Sequence, residues 1–141
     1  MRRTTEGRAT GGRATAGRAT DAARARGAMA YQAGLAAEQT VSRLYEAGGY
    51  PVAARRWRGE GGEIDLIVRN GARLIFVEVK QAASFDLAAT HLLPQQISRL
   101  YAAAAEFLAG EPAGQDTESR FDVALVDGQS RVRILENALC A

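Results

Sequence analysis

Residues 74–80 read Leu-Ile-Phe-Val-Glu-Val-Lys, an apolar run that turns ionic at its end. In a strand, side chains alternate between the two faces of a sheet. Ile75, Val77 and Val79 fall on one face and Leu74 and Phe76 on the other, so both faces must be covered near the strand's start. That requirement points to a sheet layered between helices. The rest of the chain supplies the partners. Tyr50 to Arg58 and Glu63 to Arg69 read as preceding strands, and Asn70-Gly71 reads as a two-residue hairpin turn before a third strand, Arg73 to Gln81. Ala30 to Ala47 is helical, with Tyr31, Leu35, Val41 and Tyr45 as its stripe and Gly48-Gly49 as its stop. Pro94 to Leu108 is a second helix, and Phe121 to Val126 and Val132 to Leu135 are further strands. The expected class is α/β, a mixed sheet flanked by helices in the order α-β-β-β-α-β-β.

Charge divides the chain in two. Residues 1–27 hold seven arginines against Glu6 and Asp21, a net of +5, whereas residues 28–141 hold eleven basic and fourteen acidic residues, a net of −3. The first segment repeats Gly-Arg-Ala-Thr at residues 7–10, 12–15 and 17–20. It is low in large apolar side chains, so residues 1–28 are expected to be a disordered tail and residues 29–141 the folded domain. Such a tail could add salt-sensitive phosphate contacts, and Met29 is an alternative start. No secretory signal follows Arg2-Arg3, no apolar stretch reaches membrane-spanning length, and cytoplasm is the default location. One cysteine, Cys140, and one histidine, His91, exclude an internal disulfide and His- or Cys-based metal sites. A metal here would be held by carboxylates, which favours Mg²⁺ or Mn²⁺.

Lys80 is the only lysine beside seventeen arginines. An ammonium can give up its proton, whereas a guanidinium does not. Strand alternation puts Glu63, Asp65, Glu78 and Lys80 on one face, and the Asn70-Gly71 turn would set Glu63 opposite Glu78 and Asp65 opposite Phe76. Like charges across a ladder are unfavourable unless a cation sits among them. Glu38 adds a carboxylate near the core-facing side of the first helix. Carboxylates that hold a divalent cation, with an amine to orient or deprotonate water, suit metal-assisted phosphodiester hydrolysis. The plainer alternative is a surface Glu78–Lys80 salt bridge. Arg55, Arg56, Arg58, Arg69 and Arg73 could contact phosphates or be ordinary solvated charges. Trp57 fits packing better than base stacking.

Gly62-Glu63-Ile64-Asp65-Leu66-Ile67 and Phe76-Val77-Glu78-Val79-Lys80, with Gly34, Glu38, Gly49-Tyr50, Arg55 and Arg120-Phe121-Asp122-Val123, resemble the YraN-like family of small bacterial proteins. That family belongs to the PD-(D/E)XK, or restriction-endonuclease-like, nuclease superfamily. The resemblance implies that Asp65 and Glu78 are metal ligands, Lys80 the catalytic lysine, and Glu38 and Glu63 further acids near the metal. Gln96 falls where relatives often carry lysine, at a helix that meets substrate. The glycine-rich residues 59–62 look longer than usual, which suggests a looser approach to the site. The implied function is a Mg²⁺-dependent nuclease acting on nucleic acid, DNA before RNA, in repair, recombination or replication. The alternative is a non-catalytic nucleic-acid-binding or interaction protein that keeps the fold, and a homodimer or protein partner is open for either.

Overall fold

The hairpin that opens the sheet is built from β2 (Glu63–Asn70) and β3 (Arg73–Gln81), joined at Gly71-Ala72. Asn70 pairs with Arg73 and Ile67 with Phe76, which moves the turn one residue later than Asn70-Gly71. Gly71 has φ +65°, and Ala72 is not in the positive region. A glycine with positive φ at the first central position alone fits a II′ turn, whereas Asn-Gly suits I′. The change shifts the register by two residues. Asp65, not Glu63, therefore comes level with Glu78, and Glu63, Asp65, Glu78 and Lys80 still line one cleft, although Ile64 breaks the alternation by packing with Ile67 rather than with Leu66.

This computed structural model describes residues 2–139, with side chains from residue 20 onward. Helix α1 (Arg2–Ala47) leads into β1 (Val52–Arg58), β2 and β3. Then come α2 (Phe85–Thr90), α3 (Pro94–Leu108), a 3₁₀ turn (Gly114–Asp116), β4 (Ser119–Val126) and β5 (Val132–Leu135). The sheet order is β1-β2-β3-β4-β5. Its pairings are antiparallel except β3 with β4, which run parallel across the α2–α3 crossover. This is the mixed α/β sheet flanked by helices that the sequence implies, with one helix more. Helix α2 is too short to show a period. Its local signal is Ser84, whose hydroxyl accepts the Leu87 N–H at 3.2 Å as an N-cap.

Two units divide the chain, residues 1–35 and residues 36–141. Helix α1 takes in residues 2–28, whose alanine and arginine are strong helix formers. The side chains of the three repeats up to Ala19, and Cys140, lie outside the described residues. Tyr31 and Leu35 belong to this first unit, and Tyr31 is exposed rather than part of the core stripe.

In the second unit, Ala37, Val41 and Tyr45 recur every fourth residue and cover Leu66, Val68, Ile75, Val77, Ala124 and Val126. On the other face, Ala88 of α2 and Leu100, Ala103, Ala104 and Leu108 of α3 cover Ile64, Ile67, Leu74, Phe76, Val123 and Leu125. Trp57 packs edge-on to Phe107, with ring centroids 5.4 Å apart, as expected of a packing tryptophan. Residues 59–62 do not leave the approach loose. Glu106 of α3 accepts the backbone N–H groups of Glu60 and Gly61, and a Cβ at Gly61 would come within 2.6 Å of the Ala102 Cβ. Glycine lets this loop lie directly on the helix.

Candidate metal and nucleic-acid site

Antiparallel pairing of β2 with β3 is continuous up to Leu66 and Val77. Asp65 is the next residue on β2, and its Oδ2 accepts the Val79 N–H at 2.8 Å. The carboxylate thus takes an amide of β3 and is fixed against that strand. Glu78 lies beside it, close enough for the two carboxyl groups to act on each other. Two carboxyls this close are costly unless a proton or another cation lies between them. Burial, then the hydrogen bond with Asp65 and its charge, pushes Glu78 up to about 9 against the opposing pull of Lys80. The Lys80 Nζ lies 4.0 Å from the Glu78 Oε1, and both side chains are largely buried.

Glu38 approaches from α1. Burial and the Asp65 charge hold its carboxyl above the usual range, while the Arg56 guanidinium, 3.0 Å away, opposes the shift. Arg56 sits inside β1 at φ +47°, an unusual conformation for a residue with a long side chain. Glu63, at the start of β2, is more open and pairs with Arg58 at 3.2 Å. Arg56, Glu63, Asp65, Glu78, Lys80, Gln96, Arg99 and Leu100 line one cleft of about 260 Å³. Gln96 enters it from the first turn of α3, where its Oε1 accepts the Leu93 N–H at 3.3 Å.

The expected residues therefore separate by geometry. Asp65, Glu78 and Lys80 converge, Glu38 reaches the same charges from behind Arg56, and Glu63 lies at the mouth. Among the described residues, no three of His, Cys, Asp or Glu form a ready-made metal group. The donors that do meet are oxygens of two carboxylates. That chemistry fits Mg²⁺, which is commonly held by one or two carboxylates with water and substrate oxygens completing its octahedron.

The arginines expected to form a basic patch on the first strands each lie beside an acid. The Arg55 Nη1 donates to the Ser42 Oγ at 2.6 Å, and its Nη2 lies 3.3 Å from Glu46. Arg56 is held by Glu38 and Arg58 by Glu63, while Arg69 makes a two-point contact with Glu111 at 2.6 and 3.0 Å. Arg73 lies 3.3 Å from Glu118. Each of these five arginines has an acid as its neighbour in this arrangement. Arg99 escapes a reading that looks for clusters, because it stands alone in sequence. Its signal is the three-residue step from Gln96, which puts both on one helical face. No helix of the described residues is long and apolar enough to cross a membrane.

A sequence profile of an uncharacterised protein family, UPF0102, matches residues 37–126, which hold every residue of the cleft. A UPF0102 protein of Cereibacter sphaeroides is 59% identical over 115 residues, 82% of this chain and 98% of the relative. One from Ruegeria pomeroyi is 58% identical over 113 residues, 80% and 92% of the two chains. Another, from Dinoroseobacter shibae, is 48% identical over 116 residues, 82% and 87%.

Proposed function

The chain belongs to the UPF0102, or YraN, family, and from that premise we propose that it is a Mg²⁺- or Mn²⁺-dependent nuclease that hydrolyses phosphodiester bonds, with DNA as the favoured substrate. One observation carries the reading: two partly buried carboxyls side by side, with the only lysine of the chain 4.0 Å from one of them, open to a solvent cleft. A structural ion pair needs one acid; a second acid beside it is costly without a cation. Asp65 and Glu78 would hold the ion. When bound, it supplies Lewis-acid polarisation of a phosphoryl oxygen and a more acidic water. Lys80 orients the attacking water and stabilises negative charge that develops on the phosphate. The Val79 N–H keeps Asp65 in place, and the hydrophobic layer beneath β3 keeps Glu78 and Lys80 from swinging away.

The second reading is a nucleic-acid-binding or interaction protein without turnover. It draws on the Asp65–Val79 hydrogen bond, which would give the carboxylate a structural use. The deciding experiment incubates single-stranded, duplex, flapped and branched DNA, and RNA, with the parent and with Lys80→Arg in Mg²⁺ or Mn²⁺. Nicking by the parent that falls ~10²–10⁴-fold in Lys80→Arg supports the nuclease. Equal nicking by both proteins removes Lys80 from the mechanism. Binding without cleavage favours the second reading.

A further inference from the structure

We infer that Arg99 is the phosphate anchor of this cleft, binding a nucleic-acid phosphate next to the one under attack. The inference rests on the nucleic-acid reading of the same site. Three cations line the cleft, and two are engaged: Lys80 faces Glu78 at 4.0 Å, and Arg56 holds Glu38 at 3.0 Å. Arg99 is exposed and makes no ion pair among the described residues. Its backbone is nevertheless well anchored. A Cβ at Gly62 would lie 3.1 Å from both the Cβ and the carbonyl oxygen of Arg99. The neighbouring Glu60 and Gly61 are tied to Glu106, two turns further along α3. A long cation on a fixed helix, aimed into a cleft and held by no acid, is available to an anionic ligand.

The ligand chemistry follows from the guanidinium and its neighbour. Guanidinium presents a planar fork that matches two phosphate oxygens. One turn earlier, Gln96 spends its carbonyl oxygen on the Leu93 N–H, which leaves its amide nitrogen to donate. Side chains on a helix lean toward its N-terminus, so the two reach the same part of the cleft. The carboxylates lie on the sheet side and the Arg99–Gln96 pair on the helix side. A phosphate at Arg99 is therefore distinct from one at Asp65 and Glu78, and a strand crossing the cleft meets both. Because the arginines of the first strands are already paired, few phosphates are contacted, and the salt dependence of binding should be shallow.

The test measures fluorescence anisotropy of a labelled single-stranded oligonucleotide and of its duplex, with Ca²⁺ replacing Mg²⁺ to slow turnover, across a salt series. The proteins are the full chain, Arg99→Ala, Arg99→Lys, and Arg133→Ala as a charge-matched change in the separate cleft beside Phe85. Arg99→Ala is expected to weaken binding about 10-fold and to lower the salt slope by about 0.7–0.9. Arg99→Lys should restore the slope but only part of the affinity, because ammonium lacks the fork. Mn²⁺ titration by calorimetry should be the same for Arg99→Ala and the parent. An Arg99→Ala affinity and slope equal to those of the parent or of Arg133→Ala overturn the assignment. So does a parent that binds neither oligonucleotide. A parent that binds through Arg99 yet never cuts in Mn²⁺ refutes the nuclease reading and leaves the anchor standing.

Discussion

Replacing Glu78 with glutamine should make the metal-free protein more stable, although it removes a residue the proposed reaction needs. Glu78 ordinarily titrates at 4.5, and its buried place beside Asp65 pushes it up to about 9. Between those values the folded protein keeps a proton that the unfolded chain releases. The folded state then binds more protons than the unfolded state, so stability falls as pH rises through that window. At about pH 7.5 the difference amounts to three pH units at ~1.4 kcal/mol each, an upper limit of ~4 kcal/mol. The cleft admits water and the two acids share their shift, so ~1–3 kcal/mol is the working figure. Glutamine has the shape of the protonated acid and offers an N–H where the carboxyl offered an O–H. It can donate to the Asp65 carboxylate without the ionisation.

The assay is urea unfolding in EDTA from about pH 5 to about pH 9. Parent and Glu78→Gln should nearly coincide at the acid end and diverge toward the alkaline end. The variant should melt several degrees higher at about pH 8, since each kcal/mol corresponds to ~4–8 °C in a domain of this size. Saturating Mg²⁺ should raise the parent in the same alkaline range and leave the variant almost unchanged, because the ion takes the place of the shared proton. Parallel stability–pH curves for the two proteins would refute the reasoning, since they would mean that Glu78 is ionised at no cost in the fold.

Asp122, fully buried, accepts from the Tyr45 hydroxyl at 2.7 Å, Arg120 at 2.9 and 3.1 Å, and the Asn137 N–H at 3.0 Å. Asp122→Asn turns an all-acceptor group into one that also donates toward donors, so equilibrium unfolding should report a loss of ~3–5 kcal/mol. Gly61→Ala would drive a Cβ to 2.6 Å from the Ala102 Cβ and lift the loop from α3. A loss of ~1–3 kcal/mol is expected, with faster amide exchange at Glu60 and Gly61 and unchanged exchange in the β3 core.

The sheet was legible because its strands are long, β-branched and bounded by turn residues; β3 and β5 match their sequence readings residue for residue. The crossover helix α2 was not, because six residues cannot display a helical period and its burial rests on Ala88 alone. The paired arginines were invisible for another reason. Each finds its acid across elements, as Arg69 does with Glu111 and Arg56 with Glu38, and sequence distance carries no trace of such pairs. The same holds for the loop of residues 59–62, whose glycines read as slack in sequence and prove to be close contact once α3 lies beneath them.

The hairpin explains why the site could be read despite a turn set one residue early. Moving a two-residue turn by one position moves the register by two, and side chains alternate with a period of two. Asp65, Glu78 and Lys80 therefore stay on one face in either register, while the identity of the acid opposite Glu78 changes from Glu63 to Asp65. An inserted or deleted residue in that turn would act differently, because an odd shift carries Asp65 to the α1 face and puts an apolar neighbour beside Glu78. The catalytic reading thus depends on the length of the Gly71-Ala72 turn more than on its residues. The φ of +65° at Gly71 is the local feature that fixes this length.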